Sequence, residues 1–311
     1  MAHLGGSVSA RRVLITGING FTGRYMQAVL QEKGYQVFGT MAGGSASAVS
    51  SVATPANTFT MDLCNADNVA MVVQQVQPHY VVHLAALSFV GHGDANGFYA
   101  VNLAGTRNLL AALAGLSEKP RCVLLASSAN VYGNAQEGVL AESAAVAPAN
   151  DYAVSKLAME YMAKLWQQEL PIVITRPFNY TGQGQEEKFL IPKIVRHFRD
   201  RAAVIELGNL DVWRDFSDVR ALVQAYAGLL EQPAAIGKTV NICSGMALSL
   251  REVIAMCETI SGHSLDVRVN PAFVRANEVK TLCGNPALLQ SLLPGWQPMA
   301  FEQTLRWMLE D

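Results

Sequence analysis

Long apolar runs are missing from the sequence. Each of the longer hydrophobic stretches is interrupted by Gly, Ser, Gln or Pro before it reaches the roughly 18 residues that a membrane-spanning helix needs. Residues 1–12 also lack the apolar core of a signal peptide. We therefore expect a soluble, cytoplasmic protein with no membrane partner, whose first residues form a loosely structured leader.

The sequence is equally poor in charge of one sign and in clustered metal ligands. Charged residues make up 15% of the chain and the formal net charge is -2, whereas proteins that bind nucleic acid usually present a broad basic surface. The five cysteines form no Cys-x-x-Cys pair and the six histidines are scattered, unlike the spacing of a metal site. We expect buried free thiols, no metal and no nucleic-acid partner. Basic residues that act singly suit a small anionic ligand.

Short apolar runs recur along the chain, with amphipathic stretches between most of them. Continuous apolar strands that alternate with helices are typical of a parallel sheet covered on both faces. The sequence therefore predicts an α/β fold with a doubly wound parallel sheet of the Rossmann type. The candidate strands are residues 12–16, 35–39, 80–85, 121–126, 172–175 and 239–242, and the clearest helices are 102–114 and 152–168.

Three glycines spaced three residues apart follow the first candidate strand. Gly17 permits a tight turn, and Gly20 lets the backbone approach a pyrophosphate. Gly23 lets the next helix pack on the sheet while its N-terminus faces the anion. This position between a strand and a helix predicts a dinucleotide site. Its predicted contacts are Gly17, Asn19, Gly20, Phe21, Thr22 and Gly23.

The second candidate strand ends without an acidic residue, in Gly39-Thr40-Met41-Ala42-Gly43. A carboxylate usually stands there to bind the ribose hydroxyls of NAD. The same loop contains no Arg for a 2′-phosphate, so Arg24 and the hydroxyls of Ser45 and Ser47 are the local substitutes. The sequence favours NADP(H) over NAD(H).

Tyr152 and Lys156 are four residues apart, which places both on one face of a helix. A phenol titrates near pH 10, so proton transfer at neutral pH needs a nearby cation, and Lys156 can supply it. Ser128 follows the strand 121–126, at the edge where ligands bind such a sheet, and can hydrogen-bond a substrate oxygen. Ser127 is chemically as suitable as Ser128. Alone, a Tyr and a Lys at this spacing are also common on helix surfaces.

These residues together resemble the extended short-chain dehydrogenase/reductases, from about residue 12 to the C-terminus. The resemblance rests on the glycine turn, Leu84-Ala85-Ala86, Ser128 and Tyr152-x-x-x-Lys156. It favours Ser128 over Ser127 and gives Asn102 a supporting role in the site. It implies a homodimer joined by a four-helix bundle of residues 102–114 and 152–168. Further cofactor contacts that it implies are Asp62, Leu63, Leu84, Ala85, Ala86, Tyr152 and Lys156.

The composition changes after Arg176 to loops rich in Pro, Asn, Gly and Gln. A chain of 311 residues suits a large domain with a smaller lobe. We assign residues 1–176 and 218–245 to an NAD(P)-binding domain. Residues 177–217 and 246–311 are assigned mostly to a smaller C-terminal α/β lobe that binds the substrate.

The second half resembles the GDP-mannose branch of this family. The motifs are Arg176-Pro177-Phe178-Asn179, Gly182-Gln183-Gly184-Gln185, Leu207-Gly208-Asn209-Leu210, Arg214-Asp215-Phe216 and Arg275-Ala276-Asn277-Glu278-Val279. The resemblance implies a GDP-sugar substrate. Its implied contacts are Ser88, Asn130, Asn179, Lys193, Asn209, Arg214, Arg275 and Glu278. The alternative for Arg214–Asp215 and Arg275–Glu278 is that they are ordinary surface ion pairs. No partner is assigned to His92.

Asn130 stands two residues after Ser128, where dehydratases of this branch carry a Glu that removes the C5 proton. An amide cannot act as that base. The resemblance therefore implies an NAD(P)H-dependent reductase of a 4-keto group on a nucleotide-linked 6-deoxy sugar, converting GDP-4-keto-6-deoxy-D-mannose to GDP-D-rhamnose. A nucleotide-sugar 4-epimerase and a GDP-mannose 4,6-dehydratase are the alternatives. A non-catalytic dinucleotide-binding regulator is a third, although such proteins often lose the Tyr or Lys.

Overall fold

The computed structural model describes residues 11–43, 57–88, 94–133, 138–274 and 280–310. The strands are β1 Arg12–Thr16, β2 Gln36–Met41, β3 Thr58–Thr60, β4 Tyr80–His83, β5 Cys122–Ala126, β6 Gly138–Leu140, β7 Ile172–Pro177, β8 Asn179–Thr181, β9 Val204–Leu207, β10 Trp213–Asp218, β11 Thr239–Ile242, β12 Ala247–Ser249, β13 Asp266–Val269 and β14 Thr281–Gly284. The helices are α1 Phe21–Glu32, α2 Ala66–Val76, α3 Ala95–Phe98, α4 Thr106–Ala114, α5 Asp151–Lys164, α6 Leu190–Arg199, α7 Val219–Leu230, α8 Leu250–Ser261, α9 Ala287–Leu292 and α10 Phe301–Leu309. Among these, none is long and apolar enough to cross a membrane.

Seven of the described strands form one parallel sheet, in the order β11-β7-β5-β4-β1-β2-β3. Successive side chains of a strand point to opposite faces, and the sheet buries both faces. Val13 and Ile15 enter one core with Met26 of α1 and Leu222 of α7. Leu14 enters the other core, which α2, α4 and α5 cover. The predicted doubly wound α/β fold is confirmed.

The strand order turns at β1, because the chain runs outward from it to β2 and β3 on one side and to β4, β5, β7 and β11 on the other. In open parallel sheets, ligands bind beyond the carboxyl ends of the strands at such a point. Three segments reach that edge directly from their strands: the glycine turn after β1, Leu84 after β4 and Ser127 after β5. The sheet therefore brings together segments that are far apart in sequence.

A second sheet contains β12, β10, β14 and β6 in that order, with β8 paired to β10. Its neighbouring helices α6, α8 and α10 supply a separate core with Ile194, Val253 and Leu305. Two elements cross the division that the sequence suggested: β6 joins this sheet, and α9 packs into a core of the large sheet through Leu289. The two-lobe division itself stays a prediction.

The helix predicted over residues 102–114 is an α-helix only from Thr106, as α4. A π-helical turn, Tyr99–Gly105, joins α3 to α4 and contains the buried Asn102. Such wider turns inside helices occur frequently at functional sites.

Among the cysteines, Cys122, Cys243, Cys257 and Cys283 are buried and free, but Cys64 is exposed, so the expectation of buried thiols is wrong for that residue.

Candidate active site

The glycine turn is shaped so that side chains would not fit in it. Gly17 has φ +72°, a left-handed conformation that favours glycine, and its N–H donates to Thr40 O at 2.9 Å. A Cβ on Gly17 would lie 3.0 Å from the backbone of Ala85. A Cβ on Gly23 would overlap the carbonyl oxygen of Gly17 and lie 2.6 Å from that of Ile18. The turn therefore requires these glycines.

Helix α1 presents its N-terminus at this turn. Its N-cap, Gly20, makes no side-chain capping bond, and the first turn contains no acidic residue. The N–H groups of a first helical turn have no acceptors within the helix, and they carry partial positive charge. A backbone cradle with these free donors fits the pyrophosphate of a dinucleotide.

The segment Leu84–Leu87 forms the opposite side of the turn and is held by side chains at both ends. Thr16 Oγ1 accepts from the N–H groups of Leu84 and Ala85, at 3.2 and 3.1 Å. Asn102 accepts from Leu87 N at 2.9 Å and donates to Leu87 O at 3.0 Å. The structure thus places the predicted contacts Leu84, Ala85 and Ala86 beside Gly17, with the exposed Ser88 next in the chain.

Ser128, Tyr152 and Lys156 lie at the same edge of the sheet, and all three are buried. The Ser128 hydroxyl is near enough to that of Tyr152 to influence its pKa. Burial raises the pKa of Tyr152 to about 12, although the Ser128 hydroxyl acts to lower it. Lys156 Nζ donates to Ala126 O at 2.7 Å. Burial lowers the pKa of Lys156 to about 8, although the Glu160 carboxylate acts to raise it.

Glu160 explains why the neighbouring Ser127 differs from Ser128. Ser127 Oγ donates to Glu160 Oε1 at 2.5 Å, and Arg176 donates to both carboxylate oxygens at 2.9 and 2.6 Å. Ser127, Glu160 and Arg176 are all buried. The Ser127 hydroxyl is therefore engaged away from Tyr152, and the geometry supports Ser128. The sequence prediction missed Glu160, although its spacing of four from Lys156 on a buried helix face could have indicated it.

Asn130 contacts the Ser128 hydroxyl. Its side-chain Nδ2 and its backbone N–H donate to Ser128 Oγ at 3.1 and 3.2 Å. An amide at this place donates hydrogen bonds and cannot remove a proton. These two hydrogen bonds also orient the Ser128 hydroxyl, because an oxygen that accepts from Asn130 directs its own hydrogen elsewhere.

A family model, GDP-mannose 4,6 dehydratase, matches residues 14–308 of the chain. The chain belongs to the GDP-mannose 4,6-dehydratase family. It is accordingly an NAD(P)-dependent oxidoreductase of the extended short-chain dehydrogenase/reductase type, as its motifs predicted.

Three similar proteins refine this placement. A GDP-6-deoxy-D-talose 4-dehydrogenase of Aggregatibacter actinomycetemcomitans is 35% identical, over 91% of each chain. A GDP-6-deoxy-D-mannose reductase of Pseudomonas aeruginosa is 32% identical, over 97% of each. The solved structure of RMD from Pseudomonas aeruginosa complexed with NADPH is 30% identical, with a TM-score of 0.83 over 97% of this chain and 98% of that one. The members of the family that this chain resembles therefore include GDP-sugar oxidoreductases.

In this GDP-mannose 4,6-dehydratase family member, the remaining predicted cofactor residues lie in the turn and after β3. Asp62 and Leu63 follow β3, and the exposed Asp62 carboxylate accepts from Cys64 N at 2.9 Å. Asn19 is exposed in the turn, and Thr22 Oγ1 lies 2.9 Å from the hydroxyl of Tyr180. The Phe21 ring stacks on the Tyr180 ring, with the two ring centroids 6.1 Å apart. Tyr180 was not predicted from the sequence, since it lies 158 residues from Thr22.

Three of the predicted substrate residues, Asn179, Lys193 and Arg214, lie on β8, α6 and β10, and Asn209 lies in the loop before β10. Asn179 Nδ2 donates to Asp215 O at 3.4 Å, and Lys193 Nζ donates to Glu206 O at 2.8 Å and lies 4.8 Å from the Phe273 ring centroid. Asn209 Oδ1 accepts from Asp211 N at 3.0 Å, and Arg214 Nη1 donates to Trp213 O at 2.8 Å. The predictions for Ser45, Ser47, His92, Arg275 and Glu278 lie outside the described residues.

Asp215 does not form the surface ion pair with Arg214 that was the alternative interpretation of these two residues. Its carboxylate is fully buried and accepts from the N–H groups of Ser244 (2.8 Å), Gly245 (2.9 Å) and Gly284 (3.3 Å). Burial raises its pKa, although these bonds act to lower it. Asp215 is therefore an internal anchor between the end of β11 and β14. A sequence alone gives no sign that its partners are backbone amides.

Proposed function

We propose that this enzyme reduces the 4-keto group of a GDP-linked 6-deoxy sugar, converting GDP-4-keto-6-deoxy-D-mannose to GDP-D-rhamnose with NADPH. The observation that carries the proposal is the amide of Asn130 on the Ser128 hydroxyl, at the sheet edge that also holds the buried Tyr152 and Lys156. This arrangement can deliver a proton to a carbonyl oxygen, but it contains no carboxylate at the position of the dehydratase base.

The chain contributes the proton and its surroundings. The nicotinamide, when bound, supplies a hydride to C4. Tyr152 donates its phenolic proton to the C4 oxygen while Ser128 hydrogen-bonds the same oxygen. The phenolate that remains is stabilised by the Lys156 ammonium, and solvent then returns a proton to it. The reaction converts the ketone to a secondary alcohol and NADPH to NADP⁺, so one hydride and one proton are consumed.

The cofactor residues proposed are the glycine turn with Asn19, Phe21 and Thr22, then Asp62 and Leu63, and the Leu84–Leu87 segment. NADP(H) is favoured because β2 ends without a carboxylate for the ribose hydroxyls, and because the similar Pseudomonas aeruginosa structure is a complex with NADPH. Arg24, however, donates to Gly184 O at 3.0 Å, which directs its guanidinium toward the loop after β8. That contact makes Arg24 a weaker choice for a 2′-phosphate.

The substrate residues proposed are Ser88, Asn130, Asn179, Lys193, Asn209, Arg214, Arg275 and Glu278. The two arginines suit the diphosphate, because a guanidinium binds two phosphate oxygens at once, and a Glu can accept from ribose hydroxyls.

A second candidate product is the C4 epimer, GDP-6-deoxy-D-talose. The observation in its favour is the relative named GDP-6-deoxy-D-talose 4-dehydrogenase, which is more similar to this chain than the named reductase. Both products derive from the same 4-keto sugar, and the face of C4 that receives the hydride decides between them. The catalytic residues are the same for either outcome.

The test is to incubate the enzyme with GDP-4-keto-6-deoxy-D-mannose and either NADPH or NADH, and to follow cofactor absorbance. We expect stoichiometric oxidation of NADPH, and proton NMR of the purified product to show the coupling of an axial H4, as in rhamnose. An equatorial H4 would establish the talose product instead. GDP-mannose alone should yield no keto sugar. If it does, the enzyme is a dehydratase, and interconversion of nucleotide-sugars without net cofactor oxidation would make it an epimerase.

We also propose that the enzyme is a cytoplasmic homodimer. Helix α5 exposes three apolar side chains to solvent, Val154, Tyr161 and Leu165 just beyond its last turn. Paired with α4 of the same chain, this face suits a four-helix bundle with a second copy. The cytoplasm suits a chain with four buried free thiols, since that compartment keeps thiols reduced.

A further inference from the structure

His83 is a buried titratable residue that the proposed reaction does not use. It ends β4, is 3% exposed and directly precedes the Leu84–Leu87 segment. Both ring nitrogens have partners: Nδ1 lies 2.7 Å from Thr16 Oγ1, and Nε2 lies 2.8 Å from Thr106 Oγ1. The imidazole therefore connects the end of β1 with the start of α4.

The bonds at Thr106 identify the ring nitrogen that carries the proton. Thr106 Oγ1 donates to the carbonyl oxygen of Asn102 at 2.7 Å, and a carbonyl can only accept. A hydroxyl has one hydrogen, so Thr106 Oγ1 must accept from His83. Nε2 is therefore the protonated nitrogen.

Thr16 gives the same result independently. Its Oγ1 accepts from the N–H of Ala85 and from that of Leu84, which also donates to the carbonyl oxygen of Thr16, so two N–H groups already point at this oxygen. Its own hydrogen must therefore go to His83 Nδ1, which has to be unprotonated. A second proton on Nδ1 would compete with Leu84 and Ala85 for the same oxygen.

We propose that His83 is a positioning residue for the nicotinamide dinucleotide: as a neutral Nε2–H imidazole it directs the Thr16 hydroxyl so that this oxygen holds Leu84 and Ala85 against Gly17. The inference rests on the proposed cofactor site. The neutral state has a second support, since burial and the nearby Lys156 ammonium lower the pKa of His83 to about 3.

The same set of bonds reaches the catalytic helix. Asn102, whose carbonyl accepts from Thr106, binds Leu87 through its side chain and donates to Ser155 Oγ at 3.0 Å. Ser155 in turn donates to the carbonyl oxygen of Tyr152 at 2.7 Å. His83 therefore belongs to one hydrogen-bonded set that fixes both ends of the Leu84–Leu87 segment and the first turn of α5.

The protonation state is tested by NMR of the whole enzyme labelled with ¹⁵N-histidine, with His83→Phe used to assign the signal. We expect a single Nε2–H neutral form that persists from about pH 9 to about pH 5, where an ordinary histidine with a pKa near 6.5 becomes charged. A His83 signal that titrates near pH 6.5, or one that carries its proton on Nδ1, would overturn the proposal.

The positioning role is tested by ligand binding rather than turnover. Thr106→Val removes the acceptor for Nε2–H, and His83→Phe removes the ring nitrogens. Each should raise the Kd for NADPH about tenfold, roughly the loss expected when one well-placed hydrogen-bonded contact is disturbed, and leave the Kd for GDP unchanged. His83→Gln, whose amide nitrogen can still donate to Thr106, should recover part of the NADPH affinity.

Thr304→Val is the matched control. Thr304 lies in α10, and its buried hydroxyl, which the substitution removes, donates to Asp218 Oδ2. It should leave the NADPH affinity unchanged. Unchanged NADPH affinity in both His83→Phe and Thr106→Val, or equal loss of NADPH and GDP binding, would overturn the positioning role. If the unaltered enzyme bound neither NADPH nor NADH, the proposed cofactor site would fail instead.

Discussion

Tyr152 shows how two opposing influences act on one phenol. Burial raises its pKa to about 12, which keeps the proton on the oxygen, while the Ser128 hydroxyl lowers the pKa and eases its release. A general acid must hold its proton until the substrate oxygen develops charge. In the proposed reaction the buried Lys156, four residues further on, supplies the positive charge that balances the phenolate.

Tyr152→Phe should reduce kcat about 10²–10⁴-fold, the usual contribution of general acid–base catalysis, without weakening NADPH binding. Tyr161→Phe is the matched control, since Tyr161 lies on the same helix but is 59% exposed. Steady-state kinetics and a dinucleotide binding titration measure the two effects. Near-normal turnover in Tyr152→Phe would remove this residue from the mechanism.

The pH dependence should follow Lys156. Its pKa is lowered to about 8, so the ammonium that we propose to stabilise the phenolate is present below that pH and is lost as the pH rises. We expect kcat/KM in the direction of reduction to decline above about pH 8. Because the Glu160 carboxylate raises this pKa, Glu160→Gln should move the decline to lower pH.

Glu169→Gln, at an exposed position beyond the end of α5, is the control and should leave the pH profile where it is. Glu160→Gln also leaves Arg176 buried without its carboxylate, and losing one partner of a buried pair typically costs about 3–5 kcal/mol. A lower melting temperature is therefore expected alongside the shift. A profile that keeps its decline near pH 8 in Glu160→Gln would show that Glu160 has no influence on Lys156.

The sequence could identify some of these residues and not others, for reasons of distance along the chain. Tyr152 and Lys156 are visible because i, i+4 spacing on a helix is a local property. The choice between Ser127 and Ser128 could not be made from chemistry, because Glu160, 33 residues away, decides it. Arg24 likewise binds a carbonyl 160 residues away.

Among the elements, the glycine turn was the most predictable, because each of its glycines has a local steric reason. Gly23→Ala should place a methyl group against Gly17 O and Ile18 O, and overpacking of this kind costs about 1–3 kcal/mol. We expect a lower melting temperature and at least tenfold weaker NADPH binding.

Gly295→Ala provides the comparison for Gly23→Ala. A Cβ there meets no atom within 4 Å, so both quantities should stay at the level of the unaltered enzyme. The measurements are thermal unfolding and a fluorescence titration with NADPH. Normal cofactor affinity in Gly23→Ala would show that the turn relaxes enough to accept a side chain.

Six of the seven strands of the large sheet followed from their apolar runs, and the three-residue edge strand β3 was missed. The helix predicted over 152–168 appears as α5, Asp151–Lys164. The π-helical turn at Tyr99–Gly105 did not follow from any pattern. Its residues suit an ordinary helix, and the side-chain bonds that Asn102 makes to Leu87 and Ser155 exist only after the fold has formed. Irregular geometry of this kind is set by tertiary partners rather than local propensity.

At the scale of the whole molecule, the proposed dimer makes a direct prediction. Leu165 is 81% exposed at the end of α5, so Leu165→Glu should place charges within the proposed four-helix bundle and convert the dimer to a monomer. Light scattering coupled to size exclusion measures the mass. Val139→Glu, on β6 at a position 65% exposed, should leave the mass unchanged. A dimer that persists in Leu165→Glu would place the interface elsewhere.

The overall architecture could be predicted because alternating strands and helices leave few possible topologies. What could not be predicted is that β6 joins the second sheet and that α9 packs against the large one. β6 is three residues long and β14 four, so neither carries a strong pattern of its own, and their pairing joins Gly138 with Leu282.

That pairing sets an order of events during synthesis on the ribosome. β14 lies between β10 and β6 in the second sheet, so both of these strands emerge with an open edge and wait for residues 281–284. Gly284 also brings an amide to the buried Asp215 carboxylate. Until residues 281–284 have left the exit tunnel, β10 and β6 therefore lack the strand that pairs between them, and unpaired strand edges are a template for aggregation.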